Sequence, residues 1–242
     1  MSEAVIERPP APSLISRFIG VITSPKATFE KIVAAPRVGG ALALVALIGA
    51  LAIGGFLSTD VGKQAWIDQQ VTATEAWTGQ PMSDAAYAQQ EKISQYAGYM
   101  GAAQMLISIP IMALIIGGIM YAIFNAMMGG TATFKQVMAV VAHSQFISAL
   151  AFIVTTPINF IKGSMAGSTN LAVLFPMLDE SSFAARLLGM MDLFALWWLF
   201  VLAIGLGVLY RRKTSSVAMV LFGIYAVIAL GVAGYLSSRG GA

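Results

Sequence analysis

The chain has no cysteine and a single histidine among its 242 residues. The first absence excludes disulfides, a thiolate nucleophile and any Cys-ligated metal site. The second leaves His143 dependent on oxygen partners such as Asp192 if it were to hold a metal, and no ligand spacing supplies them. Charge is scarce too: 10% of residues are charged against 58% hydrophobic, well outside the balance of a soluble domain. Catalytic signatures are equally absent. There is no Gly-x-x-x-x-Gly-Lys phosphate cradle, no His-Glu-x-x-His and no Gly-x-Ser-x-Gly. Gly163-Ser164-Met165-Ala166-Gly167 sets its serine at the wrong position for a nucleophile elbow, and no two carboxylates share an apolar run. The chain reads as a non-enzyme with no cofactor, no metal site and no nucleic-acid partner.

What is present is apolar sequence in membrane-length runs. About 20 residues of helix cover the roughly 30 Å hydrocarbon core. Five windows qualify: Gly40 to Leu57, Gly101 to Met128, Phe134 to Thr156, Leu188 to Tyr210 and Ser216 to Leu236. The expected fold is an all-α polytopic bundle of five transmembrane helices. Residues 14 to 238 form its single membrane domain, and residues 1 to 13 are expected to be a disordered tail. Pro9, Pro10, Pro12 and several charges precede the first long apolar run, which is not the layout of a cleaved signal peptide.

Basic residues set the orientation. With the amino terminus inside, the inner segments hold Arg8, Arg17, Lys26, Lys31, Arg37, Lys135, Arg211, Arg212 and Lys213. The outer ones hold Lys63, Lys92, Lys162, Arg186 and Arg239. Nine against five places the amino terminus in the cytoplasm and the carboxyl terminus outside. The acids of the first external segment, Asp60, Asp68, Glu75, Asp84 and Glu91, agree. Ahead of the first span, Leu14, Ile15, Phe18, Ile19 and Ile22 recur at helical spacing. Ser24-Pro25 then starts a second short helix presenting Phe29, Ile32 and Val33 on one face. Flanked by Arg17, Lys26, Lys31 and Arg37, this cytoplasmic amphipathic segment suits either the headgroup layer of anionic lipid or the inner ends of the spans. Inside loops are short and outside ones longer. In the first outside loop Ser83 caps a helix from about Asp84, which is expected to run through Tyr87, Tyr96 and Tyr99 into the second span.

Polar groups within apolar runs are costly and therefore candidate sites. They are Asn125 in the second span, His143, Ser144 and Gln145 (with Ser148 beyond) in the third, and Asp192 near the start of the fourth. His143 reads as a neutral ring bonded to a neighbouring helix, with a titrating role as the alternative. Asp192 reads as a solvated carboxylate at a helix start. Pro110 is expected to kink the second span. Ala46, Ala50 and Gly54 step by four along the first span, and Gly117-Gly118, Gly205 and Gly207 thin the second and fourth, for close packing within the chain or against a second copy.

The run Gly129-Gly130-Thr131-Ala132-Thr133-Phe134-Lys135-Gln136-Val137-Met138-Ala139-Val140-Val141-Ala142-His143-Ser144 looks like the start of the third span in bacterial members of the Yip1 domain family. Ser24-Pro25-Lys26-Ala27-Thr28-Phe29 is similar to the entry before the first span. Met191-Asp192-Leu193-Phe194-Ala195-Leu196-Trp197-Trp198 resembles the fourth-span entry, and Arg211-Arg212-Lys213 the basic turn before the fifth. The likeness covers residues 14 to 236, with His143 a departure from the pattern. It implies a five-span protein of a bacterial inner (plasma) membrane and carries no catalytic residues across. Eukaryotic members take part in membrane trafficking and bind small GTPases. Three functions are compatible: a scaffold that organises a membrane complex or membrane shape, with a membrane-protein partner or a second copy; an accessory subunit of a transporter, or a small transporter, using Asn125, His143, Ser144 and Asp192; and a lipid-handling protein holding a headgroup on Arg211, Arg212 and Lys213.

Overall fold

A computed structural model describes residues 12–165, 167–179 and 182–239. The expected tail falls outside it as far as residue 11. Among the described residues the fold is helical throughout, and its sole β contact is an isolated bridge between Asn170 and Asp192.

Two short helices come first. In α1 (Leu14–Thr23) the Ser13 side chain accepts from the Ser16 N–H, and α2 (Pro25–Ala34) opens on Pro25, whose missing N–H costs nothing there. Leu14, Phe18, Val21 and Ile22 of α1, with Phe29 and Ile32 of α2, join the main core. Ile15 and Ile19 stay exposed on the other side of α1. The segment therefore packs on the bundle and still offers an apolar face outward.

The first apolar run is α3 (Gly39–Leu57), followed by α4 (Asp60–Thr78), which ends at Gly79 with φ +68°. Ser83 caps α5 (Asp84–Ser94) as expected, but the helix does not continue into the next. The Ser94 hydroxyl donates to the Glu91 carbonyl, and the Gln95 amide donates to the Lys92 carbonyl. Side chains thus take up carbonyls in the last turn of the helix. After this break α6 (Ala97–Tyr121) runs through Pro110 and widens over Ala122–Met127, where the Met128 N–H reaches back five residues to the Ile123 carbonyl.

A capping box of Thr133 and Gln136 starts α7 (Phe134–Ser144), and α8 (Phe146–Lys162) carries the same run past Pro157 to Gly163, beyond the expected end at Thr156. The fourth apolar run is split. A helix α9 (Phe183–Met190) stops, and α10 (Leu193–Leu209) starts afresh. The Leu171 N–H donates to the Met191 carbonyl and the Leu193 N–H to the Thr169 carbonyl, holding the chain extended between the two helices. The last helix, α11, is Thr214–Arg239.

Among the described residues four helices are long and apolar enough to cross a membrane: Gly39–Leu57, Ala97–Met127, Phe134–Lys162 and Thr214–Ser238. Leu193–Leu209 is apolar but shorter. The core centres on α7 and α10, where Val137 to Ser144 and Val201 to Gly207 are buried without interruption. The stepped residues Ala46, Ala50 and Gly54 are buried within the chain, and Gly54 meets α6. A Cβ added to Gly54 would lie 2.9 Å from that of Ala102, so the two backbones meet where no larger residue fits.

Candidate functional site

The candidate polar residues occupy three separate levels of the bundle. In the middle, His143 is fully buried on α7. Its Nδ1 lies 2.7 Å from the carbonyl oxygen of Ala139, and its Nε2 lies 3.0 Å from Nη1 of Arg17. A guanidinium only donates, so Nε2 accepts and Nδ1–H donates to Ala139. The ring is therefore in one tautomer and uncharged. Arg17, read as suiting either lipid headgroups or the inner ends of the spans, turns inward from α1 onto this ring, and its Nε is buried without a hydrogen-bond partner among the described residues. Burial, reinforced by the charge of Arg37, holds its pKa below the usual arginine value. Phe146 meets the imidazole edge-on at 5.3 Å, and Phe18 packs on Phe146 at 5.1 Å, closing an aromatic wall beside the pair. Close by, the Ser144 hydroxyl donates to the Val141 carbonyl and that of Ser148 to Gln145 Oε1, both at 2.8 Å.

At one end of α10, Asn125 sits in the widened turn of the second long helix. Its amide donates to the Ala132 carbonyl at 2.6 Å, and its Oδ1 accepts from the Tyr210 hydroxyl at 2.7 Å. Tyr210 also stacks on Phe124 at 5.2 Å. Next to it Arg212 donates to the Met128 carbonyl at 3.0 Å. Two clefts open here. One of about 540 Å³ lies between Gly129–Ala132 and Val208–Arg212, with Val33 and Gln136 at its edge. The other, about 380 Å³, is lined by Lys26, Glu30, Gly207, Val208 and Arg211 to Thr214. Lys31 stays exposed on the last turn of α2.

At the opposite end of α10, Asp192 caps the helix, its Oδ1 accepting from the N–H groups of Phe194 and Ala195 at 2.9 and 3.0 Å. Thr169 donates its hydroxyl to the other carboxylate oxygen, and Tyr225 donates to the Met190 carbonyl. At 1.5 Å per residue, Asp192 and Tyr210 are about 27 Å apart along the helix. The structure thus brings His143, Ser144, Gln145 and Ser148 to one level and does not bring Asn125 or Asp192 to them. Among the described residues no group of three or more His, Asp or Glu is placed to hold a metal.

A model of the Yip1 domain matches residues 19–236, nearly the whole chain. The chain belongs to the Yip1 domain family. It is also similar to "Membrane protein YknW" of Bacillus subtilis (strain 168), 28% identical over 228 residues that cover 92% of each chain. No solved structure matches. For this Yip1-domain bundle, sequence reasoning missed the Arg17–His143, Asn125–Tyr210 and Thr169–Asp192 pairings. One signal was available. A lone arginine inside the apolar run Leu14 to Ile22 and the single histidine inside another apolar run are a donor and an acceptor that each need a partner.

Proposed function

We propose that this Yip1-domain protein is a non-enzymatic organiser of a bacterial plasma membrane, holding together a membrane complex or a local bilayer shape. In this reading the amino terminus is cytoplasmic and the chain crosses five times, with α10 joining the four longer helices. Its 17 residues span about 25 Å, and Asp192 at one end and Arg211 to Lys213 at the other supply polar groups for both interfaces.

The observation that carries the reading is the bond from Arg17 to His143. It fastens α1 to the inner part of the third long helix, so the amino-terminal pair α1–α2 becomes a fixed collar on the bundle, with Ile15 and Ile19 facing outward. A transport path asks for polar groups that line one continuous route. Here the three polar levels lie far apart, and the middle one is spent on internal bonds and closed by Phe18 and Phe146.

Purification of the full chain from native membranes in lipid nanodiscs, with mass measurement of everything retained, tests the proposal. A membrane-protein partner or a second copy at fixed stoichiometry is expected. A partner-free monomer, recovered at native abundance, overturns it.

A further inference from the structure

The turn between α10 and α11 has the bond pattern of a helix stop that normally employs glycine. The Arg212 N–H donates to the Gly207 carbonyl at 2.9 Å and the Arg211 N–H to the Val208 carbonyl at 3.3 Å, the two bonds of a Schellman motif. Its left-handed position is occupied by Arg211, at φ +52°, the one non-glycine residue with positive φ among those described. Glycine would take that conformation without strain. An arginine holds that conformation at a steric cost that glycine would not carry.

What surrounds it is basic and concave. Lys26 of α2, Arg211, Arg212 and Lys213 line one cleft with Gly207 and Thr214, and Glu30 is the single acid among them. Arg211 and Arg212 also border the larger cleft beside Gly129 to Ala132. Arg212 is partly engaged with the Met128 carbonyl, whereas Lys26, Arg211 and Lys213 form no ion pair among the described residues. The apolar run of α10 stops at Leu209 and burial on α11 resumes at Val217, so the turn lies at the edge of the apolar layer. That is the depth at which a phospholipid carries its phosphate.

We infer that this cleft is a binding site for a phosphate group, with Arg211, Lys213 and Lys26 as its ligands and Glu30 limiting the anionic charge it accepts. The group comes from a phospholipid headgroup or from a soluble phosphate compound. The inference is independent of the organiser reading, since it requires no protein partner.

The test uses the full chain in nanodiscs of phosphatidylcholine and phosphatidylglycerol, with native mass spectrometry counting the lipids that stay bound. A parallel arm titrates inorganic phosphate onto the delipidated chain in detergent. Near a surface each basic residue contributes about 1 kcal/mol, so the double variant R211G/K213Q should lose roughly thirtyfold in retention or affinity. The same Arg211→Gly change relieves the turn, so thermal stability should hold or rise while binding falls. A purely structural arginine cannot give that opposite pair of signs. Glu30→Gln should tighten binding.

Loss confined to the phosphatidylglycerol arm identifies the lipid as source, and loss confined to the phosphate arm identifies a soluble ligand. The site is overturned if wild type binds neither, if R211G/K213Q binds as wild type does, or if the charge-matched control K63Q/K92Q, on the segment between α3 and α6, weakens binding as much.

Discussion

Two helices of membrane length, Phe134–Lys162 and Thr214–Ser238, are used in opposite ways. In the first, 61% of the apolar window is buried inside the protein; in the second, 22%. The more buried helix is the less apolar of the two. In water that order would be perverse. In a bilayer the lipid tails are as apolar as leucine, so hydrophobicity gives no reason to turn a face inward. Polar groups and close fit do. The buried helix carries His143, Ser144, Gln145 and Ser148, each bonded within the protein, and the less buried helix exposes Met219, Val227, Ile228 and Leu230.

The largest expected effect comes from placing the same substitution on a packed and an unpacked helix. At Gly205 of α10 even a Cβ would lie 2.6 Å from Val140 Cγ1 and 3.0 Å from the Phe29 ring, so Gly205→Leu should cost about 3 kcal/mol. At Gly223 of α11 a Cβ meets nothing within 4 Å, and Gly223→Leu should be neutral or mildly stabilising. Reversible unfolding in bicelles reads both. Equal tolerance would mean that α10 is not the packed axis of the bundle.

How far the sequence foresees this contrast depends on the kind of interaction. The apolar runs are legible because length and composition alone decide them, and the helix start at Ser83 follows from a capping residue. The inward turn of Arg17 is not. Helical spacing sets Arg17 between Leu14 and Phe18, but whether that stripe faces lipid or His143 is decided by a helix 126 residues away. The break before α10 is hidden for a related reason. Leu188 to Met191 is apolar enough to extend the run, and the chain is instead held at this point by a bridge to Asn170, remote in sequence. Asn125 reads as intramembrane because Gly101 to Met128 is apolar throughout, yet the widened last turn carries it to the end of the bundle beside Tyr210.

A middle-sized effect isolates the polar level itself. His143→Phe removes the acceptor and leaves the part-buried guanidinium of Arg17 without its partner, which should cost about 2 kcal/mol. Arg17→Leu should cost less, because the remaining imidazole keeps its bond to Ala139. Combining the two should restore part of the loss, with a coupling of about 1 kcal/mol. Protease sensitivity between Thr23 and Val38 provides a second readout, since α1 is expected to loosen before the bundle opens. Strictly additive losses would remove the clamp and, with it, the main support for a fixed collar.

The smallest effect tests whether the end of the bundle behaves like its middle. Tyr210→Phe deletes the 2.7 Å bond to Asn125 Oδ1 and keeps the stack on Phe124. Asn125 retains its bond to the Ala132 carbonyl, and its freed oxygen sits near an open cleft lined by Ala132 and Tyr210, from which water can replace the phenol. A net neutral bond contributes about 1 kcal/mol, so the cost should be at or below that figure. If Tyr210→Phe instead costs as much as His143→Phe, water does not reach Asn125, and the cleft beside Arg211 and Arg212 is drier than its open shape implies. Hydrogen exchange at Gly130, whose N–H bonds the Phe124 carbonyl at 2.9 Å, would separate the two cases directly.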